Sequence, residues 1–343
     1  MKEPKDTKPN VRNRKAAWTL ALLTPLIAEL AFGSTPLHLA YLLLLWLPIY
    51  GAGILLIREA VTRTGRGWPS VVVLGLAYEI AEDGLGLQAL TSPHLYHAAD
   101  WAPQIFGFNI AYWILNAIYH IVFSAIIPIF ITNLLFPAFK DRPYLKKGGL
   151  VWVMLFALIG VGMLRGSVPP SQDPGYTAPA AVLIGCVVAI VALAVIALRL
   201  MPRKQPSAML DTAVPSPKNL VITGVVATVV VFGLMYPFAG AHQPVFTHGY
   251  WAYVPIAIGT ILAAYLYKTI RGWSKSKQWD ARRILALASG ALVGHTLFGM
   301  IAAHLPVVDR IGLGILLIIM AWLLYRLYRK QSSAVVAKPA TAA

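Results

Sequence analysis

Ten apolar segments, most of them near the roughly 20 residues a helix needs to cross a bilayer, dominate this chain. They restrict it to a bundle of membrane helices, because lipid leaves no partner for an unpaired backbone. They run at about 16–33, 37–57, 69–90, 106–136, 148–165, 178–200, 219–239, 250–270, 283–304 and 310–328. The first and fifth are short. The fourth is long, and Pro128 within it predicts a kink, since proline removes a backbone donor and crowds the carbonyl four residues back. Only 12% of the residues are charged and 58% are hydrophobic, about half the charge of a soluble domain. The expected fold class is all-α: a polytopic transmembrane helix bundle of about ten spans.

The basic residues separate two faces. Of 29 Lys and Arg, 27 lie before the first segment, in alternate loops or after the last; only Arg165 and Arg310 fall on the other side. The positive-inside rule then puts both termini in the cytoplasm, which requires an even number of spans. Orientation thus accounts for the net charge of +16, and a nucleic-acid partner loses its support. The expected location is the cell (plasma) membrane, multi-pass. The lipid bilayer is the expected partner, with a small-molecule or peptide substrate left open. The basic N-terminus and the apolar run from Ala16 have the look of a signal peptide. Glu29 near the end of that run, with no small-x-small site after it, instead predicts an uncleaved first span. The expected organisation is a disordered cytoplasmic tail at 1–15, helices one to six over 16–200 and a Pro- and Ser-rich cytoplasmic connector at 201–218. Helices seven to ten over 219–328 and a disordered cytoplasmic tail at 329–343 follow. Halves of five helices each, inverted as in some transporters, fit the count, but no internal sequence similarity supports them.

The stretch Tyr78–Gln88 stands out against this background. Glu79, Glu82 and Asp83 stand at i, i+3 and i+4, on one face of a helix, where a charge at the membrane centre costs about 2.5–3.5 kcal/mol or more. Helical rise puts Glu82 roughly 20 Å, His295 roughly 18 Å and His120 roughly 24 Å from the basic side, in a core of about 30 Å. Glu29 comes out at roughly 20 Å as well. Asn116 lies one turn from His120 on the same face, and Tyr112 and Tyr119 could add hydroxyls. The candidate polar cluster is therefore Glu79, Glu82, Asp83, Asn116, His120 and His295. Glu82, His120 and His295 are the candidate metal ligands, for a divalent ion such as zinc; the alternative use of the same groups is proton relay. Gly290 and Gly294 form a GxxxG just before His295, with Gly299 beyond, which predicts close helix contact there.

Six of the eight histidines lie at the face opposite the basic loops. His94, His97 and Asp100 have the spacing of a weak metal turn, in a loop whose Tyr96, Trp101 and Phe106 suit a membrane interface. Cys186 is the one cysteine, so no disulfide framework and no Cys-based metal site are expected. GxxxxGK[ST], HExxH and GxSxG are absent, which removes the P-loop, zincin and nucleophile-elbow classes.

Leu56-Ile57-Arg58-Glu59, Gly65-Arg66-Gly67-Trp68-Pro69, Ala77-Tyr78, Glu82-Asp83-Gly84-Leu85 and the run His120 to Ile129, ending at Leu135-Phe136-Pro137, resemble a group of largely uncharacterised polytopic membrane proteins of bacteria and archaea. That group brings no assigned activity. Glu82-Asp83, His120 and His295 also faintly resemble the motifs of CAAX-processing and bacteriocin-immunity type intramembrane metalloproteases. That likeness would imply a metal-dependent protease. Leu87 stands where that family has Arg, Asn116 where it has Phe four before the histidine, and Gly299 where it has an Asn-like residue. The expected function is a transporter, or a small-molecule- or proton-binding membrane protein, with an intramembrane acid/His cluster. The alternatives are an intramembrane metal-dependent hydrolase and a non-enzymatic membrane scaffold.

Overall fold

A computed structural model describes residues 13–204, 210–236, 248–302 and 305–336. The chain folds into helices joined by short loops, with no β-strand among the described residues. We label the helices α1 (Arg14–Pro25), α2 (Leu37–Arg63), α3 (Trp68–Glu79), α4 (Ile110–Leu135), α5 (Lys147–Gln172), α6 (Ala180–Leu200), α7 (Pro217–Met235), α8 (Gly249–Trp273), α9 (Ala281–Ala302) and α10 (Val307–Val336). Each overlaps one of the ten apolar segments. Among the described residues, eight helices (α2 and α4 to α10) are long and apolar enough to cross a membrane. The other two depart for identifiable reasons. Helix α1 has 12 residues, extended by a five-residue π turn, Leu26–Leu30. Helix α3 continues through a π turn, Ile80–Gly86, that carries two of its three carboxyls.

Several boundaries differ from the sequence expectation. The third segment stops at Gly86, because Gln88 turns the chain with a left-handed φ of 60°. The fourth begins at Ile110, after a tight turn in which Ile105 and Phe108 pair their backbones. The fifth is not short: α5 runs on through Pro169 and Pro170 to Gln172. The last helix continues to Val336, through part of the stretch expected as a disordered tail. The remainder of that tail, residues 1–12, part of the 201–218 connector, His242 and His304 lie outside the described residues.

The wide π turns have local causes. Pro25 ends the regular part of α1 just before Leu26–Leu30, and Pro48 lies inside the π turn Leu47–Gly51 of α2. Gly84 and Gly86 lie in Ile80–Gly86, and Pro128 follows the π turn His120–Ile126 of α4. A proline withholds the N–H that an α-turn needs, and a widened turn relieves the clash with the carbonyl behind it. The kink expected at Pro128 therefore takes the form of a π turn one residue before the α-helix resumes at Ile127.

Packing sorts the helices into inner and outer. Of the eight long helices α4 and α9 are the most buried, while α5, α6 and α10 turn Trp152, Ile184 and Ile318 outward, as expected for surfaces that meet lipid. The GxxxG of α9 works as its spacing suggests. A Cβ added at Gly294 would lie 2.8 Å from the Val225 carbonyl of α7, and Gly224 on α7 abuts the α9 backbone at Leu287 and Ala291.

The basic face is held by paired charges. Glu59 on α2 is fully buried and accepts from Arg58 Nη1 at 3.0 Å, from Arg63 Nε and Nη2 at 3.2 and 3.1 Å, and from the Tyr144 and Leu145 amides at 2.6 and 3.3 Å. Arg58 also lies 3.3 Å from the Tyr144 ring centre and donates to the Phe139 carbonyl at 2.6 Å. Arg66 and Ser70 donate to the last carbonyls of α6, at Leu198, Arg199 and Ala197, where a helix end leaves acceptors unpaired. Across the same face Lys204 bonds Asp141 at 2.7 Å, which holds the Asp141 carboxyl below the usual carboxylate range.

Candidate functional site

Four of the five π turns among the described residues lie around one polar nest; the fifth, Ile196–Leu200, closes the basic end of α6. His120 stands at the start of its π turn on α4, and its ring enters between the carboxyls of α3. Nε2 lies 3.4 Å from Glu79 Oε2 and Nδ1 lies 3.5 Å from Glu82 Oε2. Nδ1 shares a closer hydrogen bond, 3.0 Å, with Ser124 Oγ one turn on. Asp83 lies against Glu79, and the Tyr50 and Tyr78 hydroxyls lie near Glu82. The Tyr50 and Tyr78 rings stand 5.9 and 5.7 Å from the His120 ring and wall the nest. Glu79, Glu82, Asp83 and His120 are all buried.

These acids differ from Glu59 in one decisive respect. Glu59 has a donor for each oxygen. Both oxygens of Glu79, Glu82 Oε2 and Asp83 Oδ2 are buried with no hydrogen-bond donor. Among the described residues, His120 is the one basic side chain within ion-pair range of Glu79 or Glu82. A buried polar group is nearly always paired, and an unpaired buried carboxylate costs several kcal/mol. Three carboxyls facing one imidazole are thus a group that calls for protons or a cation.

Rare geometry surrounds the same place. π-Helix accounts for well under 1% of residues in ordinary proteins and concentrates at functional positions. Here Glu29, Tyr50, the Glu82/Asp83 pair and the His120/Ser124 pair each sit in a π turn of a different helix. A π turn frees carbonyls that a neighbour can take up. The Leu85 carbonyl accepts from Arg165 of α5 at 3.1 Å, and the Ala28 carbonyl accepts from the Tyr119 hydroxyl.

Two members of the expected cluster stand apart. Asn116 donates back to the Tyr112 carbonyl of its own helix at 3.0 Å. His295 is fully buried, but its Nε2 meets Tyr119 Oη at 3.1 Å, and its ring stacks on Phe123 at 4.2 Å and tilts against Phe32 at 4.9 Å. Since the Tyr119 hydroxyl gives its proton to Ala28, the His295 Nε2–H is the donor of their bond, and Nδ1 is left bare. His295 therefore lies in an aromatic box one side chain away from His120. Of the expected metal ligands, the structure brings Glu82 and His120 together. Among the described residues, no three His, Cys, Asp or Glu side chains are arranged to hold a metal ion.

At the opposite loop face, His97 pairs with Asp100 at 3.0 Å on the exposed surface, while the His94 backbone donates to Asp173. Trp101, expected at the interface, is buried against Tyr112 and Tyr236, whereas Phe106 is 96% exposed. Tyr50, Tyr78 and Ser124 escaped the sequence reading. The available signal was proline: Pro25, Pro48 and Pro128 interrupt apolar runs within a few residues of Glu29, Tyr50 and Ser124.

Comparison with known proteins gives the lineage. The model of an uncharacterized membrane protein family matches residues 18–338, and the chain belongs to that family. No curated protein and no solved structure matches it.

Proposed function

We propose that this multi-pass membrane protein is a proton-linked secondary transporter whose coupling site is the nest of Glu79, Glu82, Asp83 and His120. The observation that carries the reading is the set of buried carboxyl oxygens around His120 that no donor satisfies. Ionisable groups inside a membrane bundle mark ion and proton pathways by default. Transporter sites favour discontinuous helices, and π turns interrupt the four helices that surround the nest. Protons neutralise the nest while it is closed, and exposure to water on one side releases them. Coupling needs only that solute binding favours one exposure over the other.

The positive-inside pattern orients the basic face to the cytoplasm, with ten spans and the plasma membrane as the site of action. The test is flux. In vesicles with an internal pH dye and an imposed proton gradient, the wild type carries protons, alone or with a solute from a panel. Glu82→Gln and His120→Ala abolish that flux. Wild-type vesicles that stay proton-tight across the panel overturn the reading.

The metal-dependent hydrolase remains the second reading, because Glu82 and His120 do meet. Its third ligand, His295, is turned onto Tyr119. Stoichiometric zinc in purified protein, lost in both Glu82→Gln and His120→Ala, would favour the hydrolase over transport.

A further inference from the structure

The nest has a connection to the face opposite the basic loops, and it runs through Glu29. Helix α1 enters from the basic face, so the π turn Leu26–Leu30 and Glu29 lie at its far end. There Glu29 is half-buried. Its Oε2 accepts from Ser34 Oγ at 2.9 Å and from Thr35 Oγ1 at 3.0 Å, and the Ser34 side chain is exposed. Its Oε1 accepts from the Tyr50 hydroxyl at 2.5 Å. Tyr50 in turn lies near Glu82, whose Oε2 has no donor and lies 3.5 Å from His120 Nδ1. The chain of groups is Ser34, Glu29, Tyr50, Glu82, His120 and Glu79. One end is exposed and the other is buried.

We infer that Glu29 is the proton port of the nest, with Tyr50 as the relay between Glu29 and Glu82. This rests on the nest being a proton-binding site. The step balances without any further reactant. A proton from water at the exposed end makes Glu29 neutral, and its bond to Tyr50 turns round. Tyr50 Oη then accepts the proton of Glu29 while its own proton passes to Glu82. Tyr50 ends as it began, Glu29 is again a carboxylate, and Glu82 has gained one proton. Hydrogen-bonded carboxyl and hydroxyl chains are how membrane proteins move protons past a dry layer. The titratable groups whose field meets Glu29 are Tyr50 on α2, Tyr78 and Glu82 on α3, Tyr96 in the loop before α4, and Tyr119 and His120 on α4.

The geometry separates port from store. Glu29 has hydroxyl donors on both oxygens, and one of them, Ser34, is exposed to water. Both oxygens of Glu79 lack a donor, and Glu79 ends the chain of groups at its buried end. A purely structural role for Glu29, tying the turn after α1 to α2, would make no demand for an ionisable group. Glutamine would then serve nearly as well.

The experiment is a pH jump on the full-length protein in lipid nanodiscs, where both faces meet the buffer, followed by time-resolved infrared absorption of the carboxyl bands. Wild-type bands reach their new level quickly. Glu29→Gln reaches the same level, less the contribution of Glu29 itself, but slower by roughly a hundredfold, as for a lost acid–base group. Glu29→Asp restores the speed. Tyr50→Phe, which keeps the ring and drops the hydroxyl, slows it similarly and serves should the Glu29 variant fold poorly. Unchanged rates in both variants overturn the port and leave the proton-binding nest standing. Wild-type carboxyl bands that do not respond to pH overturn both.

Discussion

Glu59 and Glu82 are both buried acids on neighbouring helices, yet they invite opposite predictions. Glu59 accepts five hydrogen bonds from Arg58, Arg63 and the backbone at Tyr144 and Leu145. Removing one partner from a buried, fully paired ion group leaves the others uncompensated. Glu59→Ala should therefore cost about 3–5 kcal/mol, seen as a large fall in thermal midpoint for protein in detergent. Glu82 has a buried oxygen with no donor. Glu82→Gln replaces a site of costly charge with a neutral amide of the same shape, so stability should hold or rise while proton flux disappears. The same thermal scan checks both. A loss in Glu82→Gln as deep as that in Glu59→Ala would mean that Glu82 is structural. At this scale the sequence showed where charge was costly but not which acid was paired. Arg58, Arg63 and the loop around Tyr144 reach Glu59 from positions that no local spacing connects.

The elements carry the site through four interrupted helices and one tight crossing. Each of the four π turns around the nest has a Pro or Gly in it or within two residues, and the kink at Pro128 was legible from the residue alone. That the widened turns of α1, α2, α3 and α4 meet at one place was not legible, because it depends on how the helices pack. The depth estimate from helical rise put Glu82, His120, His295 and Glu29 at one level. The structure joins Glu82 to His120 and, through Tyr50, to Glu29. It sends His295 to Tyr119, since depth along an axis says nothing about rotation around it. Tyr119→Phe, which removes the hydroxyl that meets His295 Nε2, should therefore cost about 1–3 kcal/mol, read as a lowered thermal midpoint; an unchanged midpoint would dissolve the aromatic box. The α7–α9 crossing was legible from GxxxG. Gly294→Val pushes a branched side chain against the Val225 backbone and should cost about 1–3 kcal/mol, read as a lowered thermal midpoint with proton binding retained.

For the whole molecule, composition and periodicity settled the all-α membrane class, and the match over residues 18–338 agrees with it. The loop charges give the two faces their chemistry. One is knit by Arg58, Arg63, Arg66 and Lys204. The other holds His97, Asp100 and Ser34, which leads inward through Glu29. The orientation has a direct check. In intact cells an impermeant thiol reagent should label Ser34→Cys from outside and should reach Lys277→Cys only after permeabilisation; the reverse pattern would invert the topology. The pieces resembling the family divide between the two tasks. Arg58-Glu59 and Gly65-Arg66-Gly67 build the basic face, while Glu82-Asp83 and the run from His120 build the nest. The central claim is that the nest binds and releases protons, and infrared titration of the protein in lipid tests it most directly. The account predicts carboxyl bands that change as the pH is raised from acid to alkaline, and that shrink in Glu82→Gln. A wild-type spectrum that stays flat across that range, or one unchanged by Glu82→Gln, would contradict it.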